Sequence, residues 1–284
     1  MSSGPSRPGA PEEPGPPVCG AAPESACGPV SGASTWRLDL AYEGTAFRGW
    51  ARQPGERTVQ GVLEEALATA LREPVRLSVA GRTDAGVHAW AQVASFRCTV
   101  REPHPDRLLR ALNGLLPEDV AVLAVSPAPP GFVAREARSR TYEYRLWLPR
   151  ARPVRDRAHV WQVRGPLDVE LLREAAGLLP GRRDFAALTP SAREYHSCVR
   201  EVAEASWSAA APSPGAPAGA EWVFTIRAGS FLHNMVRVAV GSMVDVAQGR
   251  MTLDGLAEAL ESGERARAGQ TAPARGLALI AVEY

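Results

Sequence analysis

Lysine is missing from this chain of 284 residues, so all 32 of its basic residues are arginine. Without lysine there is no P-loop lysine for nucleotide phosphates, no amine for a Schiff base and no anchor for pyridoxal phosphate. Arginine also binds phosphates and stacked bases better than lysine does, because its planar guanidinium presents several donors in a fixed geometry. The composition therefore excludes several classes of enzyme and leaves nucleic-acid recognition open.

Cysteine pairs and long apolar runs are also lacking. The four cysteines stand apart and form no C-x-x-C motif, so we expect reduced thiols and no zinc site. No apolar run approaches the length of about 20 residues that a membrane helix needs. The amino terminus lacks the basic start and apolar core of a secretory signal. We therefore predict a cytoplasmic protein with no membrane contact.

Charge is unevenly distributed along the chain. The formal net charge is only +1, which gives no global argument for nucleic-acid binding. Residues 135–164, however, contain nine arginines and three acidic residues. Such a run is typical either of a solvated surface or of a path for an RNA backbone, and its composition leaves both open.

The chain divides by composition into a tail and an ordered part. Residues 1–34 hold eight prolines and six glycines, a share above the roughly 25–30% that marks disordered sequence. We interpret this segment as a disordered tail. The ordered part is predicted to form an N-terminal half, residues 35–148, and a C-terminal half, residues 149–284, with a cleft between them.

Apolar periodicity in the ordered part predicts a mixture of strands and helices. The pattern favours an α+β fold of two ferredoxin- or RRM-like halves, joined into one extended antiparallel sheet with helices on one side. The predicted strands are 36–42, 75–79, 92–98, 120–125, 140–148, 199–207, 222–228 and 277–284, and the predicted helices are 59–71, 106–112, 167–179, 231–248 and 252–260.

The most informative segment is the loop at residues 80–89, which reads AGRTDAGVHA. Residues two apart in extended backbone point to the same side, so Arg82 and Asp84 can meet unless the turn has already begun. Gly81 and Gly86 allow close approach of a ligand. A carboxylate beside a guanidinium is kept ionised and oriented, as a nucleophile needs to be. Taken alone, an aspartate in such a loop is more often a turn former.

This loop is one of six motifs, in order from residue 35 to residue 284, by which the chain resembles the tRNA pseudouridine synthase A family. One motif could arise by chance, but six in the same order are not expected by chance. They are YEGTAFRGW at 42–50; GRTDAGVH at 81–88; FVAR at 132–135 with RTYEY at 140–144; DF at 184–185; FLHNMVR at 231–237 with GS at 241–242; and AP at 272–273 with GL at 276–277, Val282 and Tyr284.

The resemblance implies isomerisation of uridine to pseudouridine at positions 38–40 of the tRNA anticodon stem-loop. Asp84 would be the nucleophile, Arg82 would orient it, and Tyr142 would stack on the flipped uracil and transfer a proton at C5. No atom is gained or lost, so neither a cofactor nor a metal is expected. The family works as a homodimer on tRNA, and we expect the same here.

The resemblance also implies four further substrate-binding residues, namely Arg135, Arg140, Arg237 and Leu279. Arg237 could instead be a helix-surface residue, and Leu279 could equally be core. Two departures from the family pattern lie in the same region. Val133 stands where the family usually has histidine, and the segment between Phe132 and Tyr142 is one residue shorter than usual.

Several other conspicuous side chains favour structural roles. We predict core positions for Phe47, Trp50 and Tyr144, and a surface or packing role for His233. His88 follows Asp84 by four residues, but two ligands do not make a metal site.

Two rival functions remain at this stage. One is a non-catalytic RNA-binding protein on the same scaffold, against which the joint retention of Arg82, Asp84 and Tyr142 argues. The other is an aspartate-dependent phosphotransferase or hydrolase. It would need Mg²⁺ ligands near Asp84, and no second acid lies close in this loop.

Overall fold

The computed structural model of the protein describes residues 34–99, 103–211, 217 and 219–284. The tail predicted over residues 1–34 lies outside the described residues, apart from Ser34. Among the helices of the described ranges, none has both the length and the apolar character required to cross a membrane.

The described residues form one mixed sheet of ten strands with five α-helices around it. The strands are β1 (Ser34–Tyr42), β2 (Ser78–Val79), β3 (His88–Cys98), β4 (Val120–Pro127), β5 (Ser139–Trp147), β6 (Trp161–Gln162), β7 (Gly181–Asp184), β8 (Val199–Ala209), β9 (Glu221–Ala228) and β10 (Leu277–Glu283). The helices are α1 (Val59–Leu71), α2 (Pro105–Leu115), α3 (Val169–Ala176), α4 (Met235–Ala247) and α5 (Leu253–Ser262).

The strand order is β4-β1-β3-β10-β5-β9-β8-β7, with β2 added beside β3 and β6 beside β5. The predicted α+β class is confirmed. The sheet is mixed rather than wholly antiparallel, because β10 pairs in parallel with β3 and β6 pairs in parallel with β5. The last strand of the chain thus enters the middle of the sheet, a long-range pairing that local periodicity does not encode.

The division into halves at residue 148 stays a prediction. Strand β5, which we assign to the N-terminal half, lies between β10 and β9 in the sheet. One main hydrophobic core contains the apolar faces of all five helices together with the inward side chains of the central strands.

Local sequence accounts for most of these elements. In β1 the side chains alternate between buried and half-buried, as the apolar period of two predicts. Helices α1 and α5 begin at threonine caps, a common helix-start signal, since the Oγ1 atoms of Thr58 and Thr252 accept hydrogen bonds from Gly61 N (3.2 Å) and Gly255 N (3.0 Å).

Helix α2 continues past its predicted end. We predicted a helix over residues 106–112, but the helix runs to Leu115. The Asn113 amide instead bonds β4 twice, donating to Val122 O at 2.8 Å and accepting from Val122 N at 2.9 Å. The side chain of Asn113, which local sequence would place in a turn, is therefore used in a tertiary contact with β4.

Candidate active site

Asp84 lies in the loop of residues 80–87, which connects β2 to β3 and which we call the Asp84 loop. Its Oδ2 is 3.4 Å from Nη1 of Arg237, which lies in the first turn of α4. The Asp84 side chain is 25% exposed and that of Arg237 is 18% exposed. The carboxylate is therefore held by a cation and still open to a ligand. Arg237, which the resemblance implies as a substrate-binding residue, is thus in contact with the candidate nucleophile.

Arg237 is itself held in place by its surroundings. Its Nε donates to Ala272 O at 2.9 Å, and its Nη1 donates to Asn234 Oδ1 at 2.6 Å. Asn234 has a left-handed backbone (φ 59°) immediately before α4. The guanidinium thus has little freedom, and its orientation fixes the side of Asp84 that it contacts.

His233 also faces Asp84, which our sequence interpretation did not foresee. Its Nε2 lies 3.7 Å from Asp84 Oδ1, and its Nδ1 lies 3.1 Å from Ser191 Oγ. The His233 backbone N–H donates to Tyr195 OH at 3.1 Å. The signal that could have revealed it is its place in the FLHNMVR motif, four residues before Arg237.

Hydrogen bonds from several directions fix the shape of the Asp84 loop. Thr83 O accepts from Trp50 N at 3.0 Å, and Thr83 Oγ1 lies 2.8 Å from Tyr42 OH. Gln92 Nε2 donates to Gly81 O at 2.7 Å. A carboxylate on such a loop keeps its position without contributions from a ligand.

Glycines of the first motif allow neighbouring backbone to approach this loop. A Cβ at Gly44 would lie 2.0 Å from Val87 O, and one at Gly49 would lie 2.8 Å from Thr83 O. Gly49 also has φ +91°, which side chains other than glycine rarely adopt. The motifs at 42–50 and 81–88 are therefore two parts of one structure, and the predicted core positions of Phe47 and Trp50 are confirmed by their burial.

Tyr142 lies on β5 opposite Leu279 of β10 and Ile226 of β9. It is buried, and its ring meets that of Phe231 edge-on at 5.1 Å. A Cβ at Gly81 would come within 3.3 Å of the Tyr142 hydroxyl. Burial raises the pKa of Tyr142 well above its usual value, and the nearby Tyr42 and Asp84 raise it further. The hydroxyl therefore stays protonated at neutral pH.

Tyr144, two residues further along β5, is fully buried and donates from its hydroxyl to Pro273 O at 2.7 Å. This confirms the core position predicted for Tyr144. Leu279 is also fully buried beside Tyr142, so it is a core residue adjacent to a candidate site residue.

The three other predicted arginines differ in their surroundings. Arg140 is buried, and its guanidinium donates to carbonyl oxygens of Ala80, Ala137, Arg135 and Gly229. Burial lowers the pKa of Arg140. Its place among carbonyls fits positioning of the Asp84 loop better than contact with phosphate. Arg82 and Arg135 are exposed on the surface. The structure leaves the predicted functions of all three untested.

The shortened segment before Tyr142 packs against the sheet. The ring centroids of Phe132 and Tyr284 are 4.8 Å apart, and Tyr284 OH donates to Ala134 O at 2.8 Å. Ser95 of β3 accepts from Ala134 N at 3.0 Å. Val133, in place of the family histidine, is half-buried at the start of this turn.

Glu43, His88 and His159 bring potential metal-ligand atoms within 4.8 Å of one another. Both ring nitrogens of His88 are already used, because Nδ1 accepts from Gly44 N at 3.0 Å and Nε2 faces Ala158 O at 3.1 Å. Burial lowers the pKa of His88, which favours the neutral ring that this pattern requires. The His88 imidazole therefore connects Gly44 and Ala158 structurally and has no free nitrogen for a metal ion.

Comparison with known proteins places this geometry in a family. A family model described as tRNA pseudouridine synthase matches residues 40–134 and 175–284. A protein named tRNA pseudouridine synthase A from Solidesulfovibrio magneticus is 44% identical over 87% of this chain and 90% of its own length. Proteins of the same name from Pelobacter propionicus (41% identical over 88% of this chain and 99% of theirs) and Cutibacterium acnes (43%, 88% and 88%) are similar.

These matches cover most of the ordered chain and include the residues that contact Asp84. The sequence identities of 41–44% are high enough to establish a shared family. The chain therefore belongs to the tRNA pseudouridine synthase family.

Proposed function

We propose that the protein isomerises uridine to pseudouridine in the anticodon stem-loop of tRNA, at positions 38–40, with Asp84 as nucleophile. The observation that carries this proposal is the partly exposed Asp84 carboxylate, which lies 3.4 Å from Arg237. It occurs in a chain that is 44% identical to a protein named tRNA pseudouridine synthase A. The non-catalytic alternative has no observation in its favour.

The reaction detaches uracil at N1, turns it and rejoins it to the ribose through C5. The ionised Asp84 forms a covalent bond with the nucleoside while the N1–C1′ bond breaks. A C5–C1′ bond then forms, the bond to Asp84 breaks to restore the carboxylate, and the proton that C5 loses is balanced by one that N1 gains. The scheme is the same in atoms and charge whether Asp84 attacks C1′ of the ribose or C6 of the uracil. Arg237, 3.4 Å from the carboxylate, orients Asp84 for the attack and stabilises the charge that returns to it on release.

Tyr142 is proposed to support the flipped base. Extrusion of a stacked base costs a few kcal/mol, and stacking on an aromatic ring returns about 1–3 kcal/mol. The protonated Tyr142 hydroxyl can exchange a proton at C5, and the absence of a side chain at Gly81 keeps space in front of it. Leu279, fully buried opposite Tyr142, would support the base indirectly through its place beside that residue.

The remaining arginines complete the proposal. Arg82 and Arg135, both exposed, would bind phosphate groups, with Arg82 also orienting Asp84. Arg140 would hold the Asp84 loop through Ala80 O. We further propose a cytoplasmic homodimer that acts without a cofactor.

Tritium release from tRNA transcribed with [5-³H]uridine tests this function. Asp84→Asn keeps the shape of the side chain and removes the nucleophile, so release should fall by at least about 1,000-fold. The matched control is Asp119→Asn, which breaks a surface ion pair with Arg57 and should react at the wild-type rate. Tight tRNA binding with no release by the wild type would instead establish the non-catalytic rival. Activity that survives excess EDTA would exclude the metal-dependent rival.

A further inference from the structure

Four exposed arginines crowd the segment that connects β5 to β6. Residues 149–160, which we call the basic loop, contain Asp156 as their only acidic residue. Among the described residues, no ion pair is formed by any of the four, and Val154 between them is 80% exposed. The four are Arg150, Arg152, Arg155 and Arg157.

Elsewhere on the protein, exposed arginines commonly have acidic partners. Arg57 pairs with Asp119 at 2.7 Å, and Arg173 pairs with Glu170 at 2.8 Å. The basic loop therefore presents a concentration of positive charge that the surrounding protein does not neutralise. Such a surface is available to an external anion.

The basic loop is anchored at both ends despite its exposed cations. Trp147 Nε1 donates to Ala151 O at 2.7 Å, and Arg275 Nε donates to Val160 O at 3.0 Å. The Ala158 carbonyl faces His88, at the end of the Asp84 loop. The backbone is thus held in one shape beside the candidate active site, which lowers the ordering cost of binding a ligand.

An exposed aromatic residue adjoins the basic loop. Trp90 of β3 is 42% exposed, with its ring stacked on His88 at 5.5 Å and an interplanar angle of 16°. His159 of the basic loop meets the Trp90 ring edge-on at 5.5 Å. An indole that is held by two histidine rings and is still 42% exposed offers a stacking surface for a base.

We infer that Trp90 and the basic loop form a second RNA-binding surface outside the catalytic residues. The four guanidinium groups neutralise backbone phosphates, and Trp90 stacks on an unpaired base. An acidic protein segment would satisfy the charges but has no base to stack on the indole, so RNA is the better fit. The inference rests on the proposed function in taking RNA as the substrate.

The charge component is tested by replacing Arg150, Arg152, Arg155 and Arg157 together with glutamine. The dissociation constant for unmodified tRNA is measured across a range of NaCl concentrations. Because each lost phosphate contact reduces the log–log salt slope by about 1, the slope should fall by about 2–4. At physiological salt the dissociation constant should rise by roughly 10- to 100-fold, and the KM of tritium release should rise with it.

The matched control removes four other exposed arginines with no ion pair in the described part of the chain, on α2 and β7. Its slope should change by less than about 1. Equal changes in both variants, or a wild-type slope in the basic-loop variant, would overturn the inference. The control replaces Arg107, Arg110, Arg182 and Arg183 with glutamine.

The stacking component is tested with Trp90→Ala and Trp90→Phe. Alanine should weaken tRNA binding by about 5- to 100-fold without altering the salt slope, while phenylalanine should stay within about 3-fold of wild type. Phenylalanine also retains the packing against His88, so it controls for folding. Wild-type affinity in Trp90→Ala would refute stacking. These readouts are binding constants, so failure here is distinguishable from an absence of tritium release.

Discussion

The Asp84 loop leads directly into His88, and the basic loop contacts the His88 ring through Ala158 O, but the two loops differ in whether their charged groups have partners. In the Asp84 loop, the one carboxylate faces a partner cation, and the backbone is bonded from Trp50 and Gln92. In the basic loop the backbone is anchored, while the four guanidinium groups form no ion pair in the described part of the chain. A nucleophile needs one position, whereas a phosphate-binding surface needs cations whose charge is not already neutralised.

The two loops also differ in how far their chemistry depends on residues distant in the chain. Asp84 and Arg237 are 153 residues apart in the sequence, so their pairing exists only in the folded protein. The arginines of the basic loop are neighbours in sequence, and their joint charge is present in any conformation. Substitution of Asp84 or of Arg237 should affect catalysis, and substitution of the basic-loop arginines should affect binding.

The largest effect among the following variants is expected from Arg237→Gln. Loss of the cation beside Asp84 should lower the single-turnover rate of tritium release by about 100- to 1,000-fold, with little change in tRNA affinity. Arg237→Lys keeps the charge, but its single nitrogen cannot replace both the Nε that donates to Ala272 O and the Nη1 that donates to Asn234, so it should restore only part of the rate. Arg250→Gln, which breaks the ion pair with Asp245, is the control. A wild-type rate in Arg237→Gln would contradict our assignment of Arg237.

Tyr142→Phe and Tyr144→Phe provide a comparison within one strand. Removal of the Tyr142 hydroxyl should slow tritium release by about 100-fold. Removal of the Tyr144 hydroxyl loses its bond to Pro273 O, so the free energy of unfolding should fall by about 0.5–1.5 kcal/mol at a near-normal rate. If Tyr144→Phe were the slower variant, the two roles would have to be exchanged.

The pH dependence of this pair follows from the burial of Tyr142. Because its pKa is raised well above its usual value, the hydroxyl does not ionise between pH 7 and pH 9. The wild-type rate should therefore show no fall in that range from loss of the Tyr142 proton. An alkaline loss of rate that disappeared in Tyr142→Phe would disprove this point.

The smallest effect is expected at His88, which joins the two loops. Burial, and secondarily His159, lower its pKa below the usual value of about 6.5. The unfolded state then binds a proton first, so the stability contributed by neutral His88 is complete above about pH 6.5 and declines as pH falls below it. Urea unfolding at pH 7.5 and pH 5.5 should show a smaller difference for His88→Gln than for wild type.

The exposed His104 is the control for this measurement. His104→Gln should keep the wild-type pH difference, because the exposed His104 makes none of the buried contacts that surround His88. If His88→Gln retained the full difference as well, the acid sensitivity would have to arise from another group.

Local sequence was enough to predict those elements whose formation depends on residues close together in the chain. The period of β1 and the threonine caps of α1 and α5 involve residues within a few positions of one another, and they were predictable. The end of α2 was not, because Asn113 bonds a strand nine residues away. The parallel pairing of β10 with β3 was likewise unpredictable from periodicity, since it joins residues nearly 200 positions apart.

By itself, the sequence determined the α+β class, the candidate nucleophile Asp84 and the buried positions of Trp50 and Tyr144, because motif identity and apolar period are properties of the chain. Only the tertiary structure decided that His233 faces Asp84, that Arg140 is enclosed by carbonyls, and that Trp90 adjoins the basic loop. The physical reason is distance along the chain. Hydrogen bonds and charge interactions act over a few ångströms, and only folding brings such residues that close.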